Sequence, residues 1–209
     1  MFIIGVTGGI GCGKSSVARI CSDVGVPVID ADQLSHEVTA AGGAAIPAMV
    51  ETFGNGVIDG QGALNREYMA KKVFQSHRAL DQLSAIVHLH VIEQMHLEIE
   101  KLEKQKSQAV VLDVPIPVKN GFVDICDQIW VVWANDENRL RRLAARGMDE
   151  AESRRRIAMQ MTREEYLRLA DHVIENDGSL EELQEKVLGL LVDELGQRGI
   201  RLPKDLSSR

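Results

Sequence analysis

A glycine-rich stretch between two apolar runs limits what this chain can fold into more than any other feature. Phe2-Ile3-Ile4-Gly5-Val6 is short, continuous and apolar, the pattern of a strand buried on both faces. Gly8-Gly9-Ile10-Gly11-Cys12-Gly13-Lys14-Ser15-Ser16 follows, and it fits glycine, four residues, then Gly-Lys-Ser/Thr. Glycines let the backbone curl into a concave nest whose N–H groups face phosphate oxygens. A helix starting near Gly13 adds the positive end of its dipole, and Lys14 adds a mobile full charge. Ser15 is placed to set its hydroxyl on a magnesium ion. Such a loop serves kinases, ATPases and GTPases alike. The Asn-Lys-x-Asp motif by which GTPases read guanine is absent.

The neighbours of the loop define a fold. Ser15 to about Asp23 reads as a helix, with Val17, Ala18, Ile20 and Cys21 apolar and Gly25 beyond its end. Val26-Pro27-Val28-Ile29 is a second short strand, ending at Asp30-Ala31-Asp32. Strand, loop, helix, strand in that order implies an α/β protein with a parallel sheet flanked by helices. Ligands of such sheets sit at the carboxyl ends of the strands, where Asp30 and Asp32 fall. One aspartate can accept a proton from an attacking hydroxyl, and one can cap the helix that starts near Gln33. We assign Asp32 as the base and Asp30 as structural or close to the metal.

Further strands are expected at Ala109–Asp113, Ile129–Trp133 and Ala170–Ile174, making five. Asp113 ends its strand in a supporting position for magnesium or substrate. Between the second and third strands the pattern is helical. It breaks at Gly42-Gly43, turns repeatedly over residues 54–62, and opens a new helix at Asn65-Arg66. A long helix from Ala79 to about Lys104 follows, with Leu80, Leu83, Val87, Val91, Met95, Ile99 and Leu102 stepping by three or four. His88 and His90 on it are two apart and so point to different sides, which argues against a metal pair. Later helices are expected over residues 137–145 and 150–161, and after Ser179, whose cap pairs with Glu182.

Composition narrows the partners. A net charge of −7 over 209 residues argues against broad nucleic-acid binding, so positive charge for phosphates must be gathered locally. Arg139, Arg141, Arg142, Arg146, Arg154, Arg155 and Arg156 gather it, although such a run is more often a solvated helix face. No apolar run of about 18 residues is present and no leader is visible, so no membrane partner is expected. Three separated cysteines fit a reducing cytoplasm better than disulfides or zinc. Cys12 lies among backbone amides that can lower its thiol pKa, though we read it as a small residue that the loop tolerates.

Two helical insertions and an arginine-rich segment around a phosphate loop look like a nucleoside-monophosphate-kinase-type fold. More specifically, the chain resembles the dephospho-CoA kinase family along nearly its whole length. The resemblance lies in the loop from Thr7 to Ser16, Val28-Ile29-Asp30-Ala31-Asp32, Leu64-Asn65-Arg66, Val73-Phe74 and Ile86-Val87-His88. It continues in Arg139-Leu140-Arg141-Arg142, Arg146, Arg156-Ile157-Ala158-Met159-Gln160 and Ala170–Gly178. The resemblance implies one P-loop kinase domain with a helical substrate-side insertion at about 59–105 and a lid at about 139–165. It implies ATP with Mg2+, and phosphorylation of the ribose 3′-hydroxyl of dephospho-CoA to give coenzyme A and ADP. A kinase for another nucleotide or small alcohol is the alternative, as is a nucleotide-binding protein that has lost transfer. The implied catalytic residues are Asp32, Lys14, Arg142 and Arg146. The nucleotide contacts are Gly8, Gly9, Ile10, Gly11, Cys12, Gly13, Lys14, Ser15, Ser16 and Asn176, and the metal residue is Ser15. Asp32, Arg66, His88 and Asp113 are the substrate residues. Two departures stand out. His88 is followed by Leu89 instead of proline, and Asp113-Val114-Pro115-Ile116-Pro117-Val118-Lys119 carries a proline and a lysine where the family has leucine and glutamate.

Overall fold

The five expected apolar runs become one five-stranded sheet. Its strands are β1 (Phe2–Thr7), β2 (Val28–Asp30), β3 (Ala109–Asp113), β4 (Gln128–Trp133) and β5 (His172–Glu175), in the order β2-β3-β1-β4-β5. β1 pairs in parallel with β3 and with β4, and β4 with β5. The computed structural model describes residues 1–115 and 121–202. Lys119 and the end of the tail, from 203 on, lie outside the described residues. The helices are α1 (Lys14–Asp23), α2 (Ala31–Val38), α3 (Ile46–Phe53), α4 (Arg66–Gln75), α5 (His77–Lys104), α6 (Phe122–Ile125), α7 (Asp136–Ala145), α8 (Glu150–Ala158), α9 (Arg163–Leu167) and α10 (Leu180–Gln197). Among the described residues no helix is long and apolar enough to cross a membrane.

The chain divides into two compact units, Met1–Ile29 with Leu102–Arg209, and Asp30–Lys101. In the first, β3 is buried along its whole length, as a strand covered on both faces must be. α1 packs against α10, and Val17, Cys21, Val187 and Leu191 share a core that also holds Ile4, Val6 and Val132. β2 begins two residues later than expected because Val26 N–H turns back to Cys21 O (3.1 Å) and closes the end of α1. α8 stops at Ala158 instead of running to Met161. Thr162 and Glu165 then form a reciprocal capping box that starts α9. That Thr-x-x-Glu signal is in the sequence, but the helix it opens is only five residues long. Of the cap expected before α10, the Ser179 half forms, accepting from Glu182 N–H (3.2 Å).

In the second unit Asp30 is the N-cap of α2. Its carboxylate accepts from the N–H groups of Asp32 (2.8 Å) and Gln33 (3.2 Å). Asn65 caps α4 by accepting from Tyr68 N–H (3.0 Å). The turns at 54–62 close through Asp59, whose N–H donates to Ala63 O (2.8 Å), and an antiparallel bridge joins Ile58 to Leu64. α5 runs unbroken through His88-Leu89 and buries Val91, Met95 and Ile99. Without proline at 89, every residue of that turn keeps its N–H for the helix ladder.

Candidate active site

The loop leaves β1 at Thr7 and enters α1 at Lys14. Gly13 takes φ +98°, which only glycine adopts freely, and a Cβ there would sit 2.1 Å from Asn176 Nδ2. The loop therefore rests directly on the chain that follows β5. Asn176 is buried and donates from Nδ2 to Cys12 O (2.8 Å). Arg142 donates to Asn176 O (2.7 Å) and to the carbonyls of Gly11 and Cys12 (both 3.3 Å). These bonds engage carbonyl groups. Among the described residues the N–H groups of Gly11, Gly13, Lys14 and Ser15 have no acceptor. Of these residues Gly11 is buried, and a buried amide without a partner costs about 1–3 kcal/mol, which an anionic acceptor offsets. Thr7 Oγ1, just before the loop, is likewise buried without a partner. Four amides at a helix N-terminus, their carbonyls held elsewhere, make an anion cradle.

Positive charge lies on both sides of the cradle. Lys14 forms an ion pair with Asp113, the buried last residue of β3. The arginine run separates by environment. Arg139 is 3% exposed, with its guanidinium 5.1 Å from the Trp133 ring. Arg142 is half-buried against the loop, and Arg146 is exposed at the C-cap of α7. Arg154, Arg155 and Arg156 pair with Glu150 and Glu152 on their own helix, which is the solvated-face reading of such a run. The sequence gives these arginines one composition and no order; burial separates them.

Gln160 joins the loop from beyond α8. Its Oε1 accepts from Ile10 N–H (2.7 Å) and from Arg139 Nη2 (3.3 Å), and Arg139 Nε donates to Ile10 O (2.9 Å). A contact across 150 positions leaves no local pattern to read. Burial raises the Cys12 thiol pKa, and the nearby Arg139 and the amides only partly oppose it. The amides therefore do not make it a reactive thiolate. Cys21 and Cys126 are likewise pushed up by burial, each to about 12.

Ser15 is exposed in the first turn of α1. In the second unit Asp32 is exposed in the first turn of α2, directly after β2. Arg66 opens α4 and donates to His36 Nδ1 (2.8 Å) and Thr39 Oγ1 (3.4 Å), so His36 joins Arg66 across thirty positions that show no local pattern. His36 stands four residues after Asp32 and so on the same helix face. His88 is half-buried at mid-α5.

Comparison with known proteins decides the family. A sequence model described as dephospho-CoA kinase matches residues 2–182. The dephospho-CoA kinase of Carboxydothermus hydrogenoformans is 37% identical over 190 residues, covering 90% of this chain and 92% of that one. The chain belongs to the dephospho-CoA kinase family. A crystal structure from Thermus thermophilus superposes with a TM-score of 0.76 at 34% identity, covering 93% of this chain and 97% of that one. The dephospho-CoA kinase from Campylobacter jejuni shares the fold, with a TM-score of 0.71 at 20% identity over 95% and 98% of the two chains. The family's P-loop kinase fold accounts for the sheet order, with the loop following the central strand β1.

Proposed function

We propose that this protein transfers the γ-phosphoryl group of ATP to the ribose 3′-hydroxyl of dephospho-CoA, giving coenzyme A and ADP. The observation that carries the reading is the cradle of four unpartnered amides beside Lys14 and Arg142, in a chain of this family. ATP phosphates lie against Gly8 to Ser16, with Asn176 supporting the loop from behind. Lys14 follows the phosphates, and Arg142 and Arg146 neutralise the charge that spreads over the transferring group. Segment 139–165 is the lid that excludes water, and 59–105 is the substrate-side insertion, with Arg66, His88 and Asp113 among the substrate contacts.

The 3′-oxygen bonds to the γ-phosphorus as the bond to the β–γ bridging oxygen breaks, and the proton passes to the Asp32 carboxylate. A ribose hydroxyl is a poor acid, so positioning contributes more than deprotonation. The donor set suits Mg2+, which keeps several waters and takes few protein oxygens. Ser15 offers an exposed hydroxyl, and among the described residues no three His, Cys, Asp or Glu side chains form a metal cage. Ser15 would hold the ion, which supplies charge neutralisation at the phosphates. A cytoplasmic setting fits the free thiols of Cys12, Cys21 and Cys126.

A coupled ADP assay with ATP and dephospho-CoA tests the reading. ADP release that depends on dephospho-CoA, with a product phosphorylated at the 3′-position, is the expected result. Turnover with another alcohol and none with dephospho-CoA would overturn the acceptor while leaving the nucleotide site intact.

A further inference from the structure

Residues 9–12 form a turn closed by Cys12 N–H on Gly9 O (3.1 Å). Gly11, its third residue, has φ +78°, the value that a type II turn requires at that position. Types I and II differ by a flip of the central peptide, here the one joining Ile10 to Gly11. In a planar trans peptide the C=O and the N–H point in opposite directions. The carbonyl of this peptide is held by Arg139 Nε, so the Gly11 N–H is directed away from Arg139. It is one of the unpartnered amides of the cradle. The preceding peptide is held as well, because Ile10 N–H donates to Gln160 Oε1 while Gly9 O accepts from Cys12. Arg139 cannot shift freely: it is buried on Trp133, and Gln160 Oε1 accepts from it too.

We infer that Gln160 is a positioning residue of the nucleotide site: by accepting from Ile10 and from Arg139 it fixes the loop tip in the conformation that aims Gly11 N–H at a phosphate. Gln160 lies just beyond α8, and Ile10 is the tip of the loop. The hydrogen bond therefore ties the end of the lid segment to the cradle. Without it Arg139 Nε still holds the Ile10 carbonyl, but Ile10 N–H and the guanidinium lose their shared acceptor, and the orientation that presents the donor is less strongly favoured. Gln160 acts through the backbone and touches no reacting atom.

This inference rests on the loop holding nucleotide phosphates, and the test separates the two. ADP binding is measured by calorimetry in the parent and in Gln160→Leu, Gln160→Ala and Gln160→Glu, together with kcat and the KM for ATP. Failure of the parent to bind ADP would overturn the nucleotide site itself. With parent binding intact, Gln160→Leu and Gln160→Ala are expected to weaken ADP binding and raise the KM for ATP in step. The effect is about five- to tenfold, the size of one lost hydrogen bond, with kcat within about twofold. Gln160→Glu keeps an acceptor for both donors and restores affinity to within about twofold of the parent. Parent-like affinity in Gln160→Leu, or equal losses in all three variants, would overturn the inference. A merely structural role would lower the melting temperature without moving ADP affinity or separating glutamate from leucine.

Discussion

The two ends of the sheet handle buried charge in opposite ways. At the amino ends of the strands Glu194 of α10 is buried and saturated. It accepts from Gln128 Nε2 (2.7 Å) at the start of β4, His172 Nε2 (2.8 Å) at the start of β5, and Arg198 (2.8 Å). Arg198 in turn lies 4.0 Å over the ring of Phe2, the first residue of β1. At the carboxyl ends Lys14 pairs with Asp113 and Arg142 holds loop carbonyls, while among the described residues the cradle amides have no acceptor. One end binds the strands to their last helix. The other is left for a ligand to complete. Changes at the two ends should therefore separate turnover from stability.

The largest effect belongs to Asp32→Asn, which should lower kcat by about a thousandfold or more with ATP affinity near the parent value. Asp32 is exposed, so the melting temperature should hold; full activity in steady-state assays would remove it as the base. Lys14→Ala comes next, at about a hundredfold or more in kcat/KM. Wild-type turnover there would break the comparison at its carboxyl end. Glu194→Gln should do the reverse. Losing a charged acceptor shared by three donors should cost about 1–3 kcal/mol in chemical denaturation, with kcat unchanged. A drop in kcat without a drop in stability would show that the two ends are not separate.

The smallest effect is a pH dependence. Burial alone would push the Glu194 carboxyl up, but the bonds from Gln128, Arg198 and His172 outweigh it and hold the pKa below its ordinary value. A depressed carboxyl pKa stabilises the fold above the unfolded value, about 4.3, and that contribution is lost as pH falls through the folded value. Between pH 6 and 3 the melting temperature of the parent should therefore fall more steeply than that of Glu194→Gln. Parallel curves would take Glu194 out of the acid response.

How legible each end was in the sequence follows from the range of its contacts. The cradle could be read because glycine spacing and Lys14-Ser15 are local. All five strands showed as short apolar runs, misplaced by two residues at β2 and β5 where a turn or cap set the boundary. Asp30 as a helix cap was legible for the same reason: its partners are two and three residues away. Arg139, Gln160 and the Glu194 cluster were not, because each joins residues far apart along the chain by side-chain hydrogen bonds that impose no periodicity. Arg139 was hidden among seven similar arginines until burial distinguished it. α6, four residues long, is too short to show a period of 3.6.

The ion pair between Lys14 and Asp113 bears on how the lysine of the loop meets an anion. A lysine already facing a carboxylate offers little net attraction to a lone sulfate or inorganic phosphate. An anion that engages Lys14 therefore competes with the Asp113 carboxylate for the same ammonium.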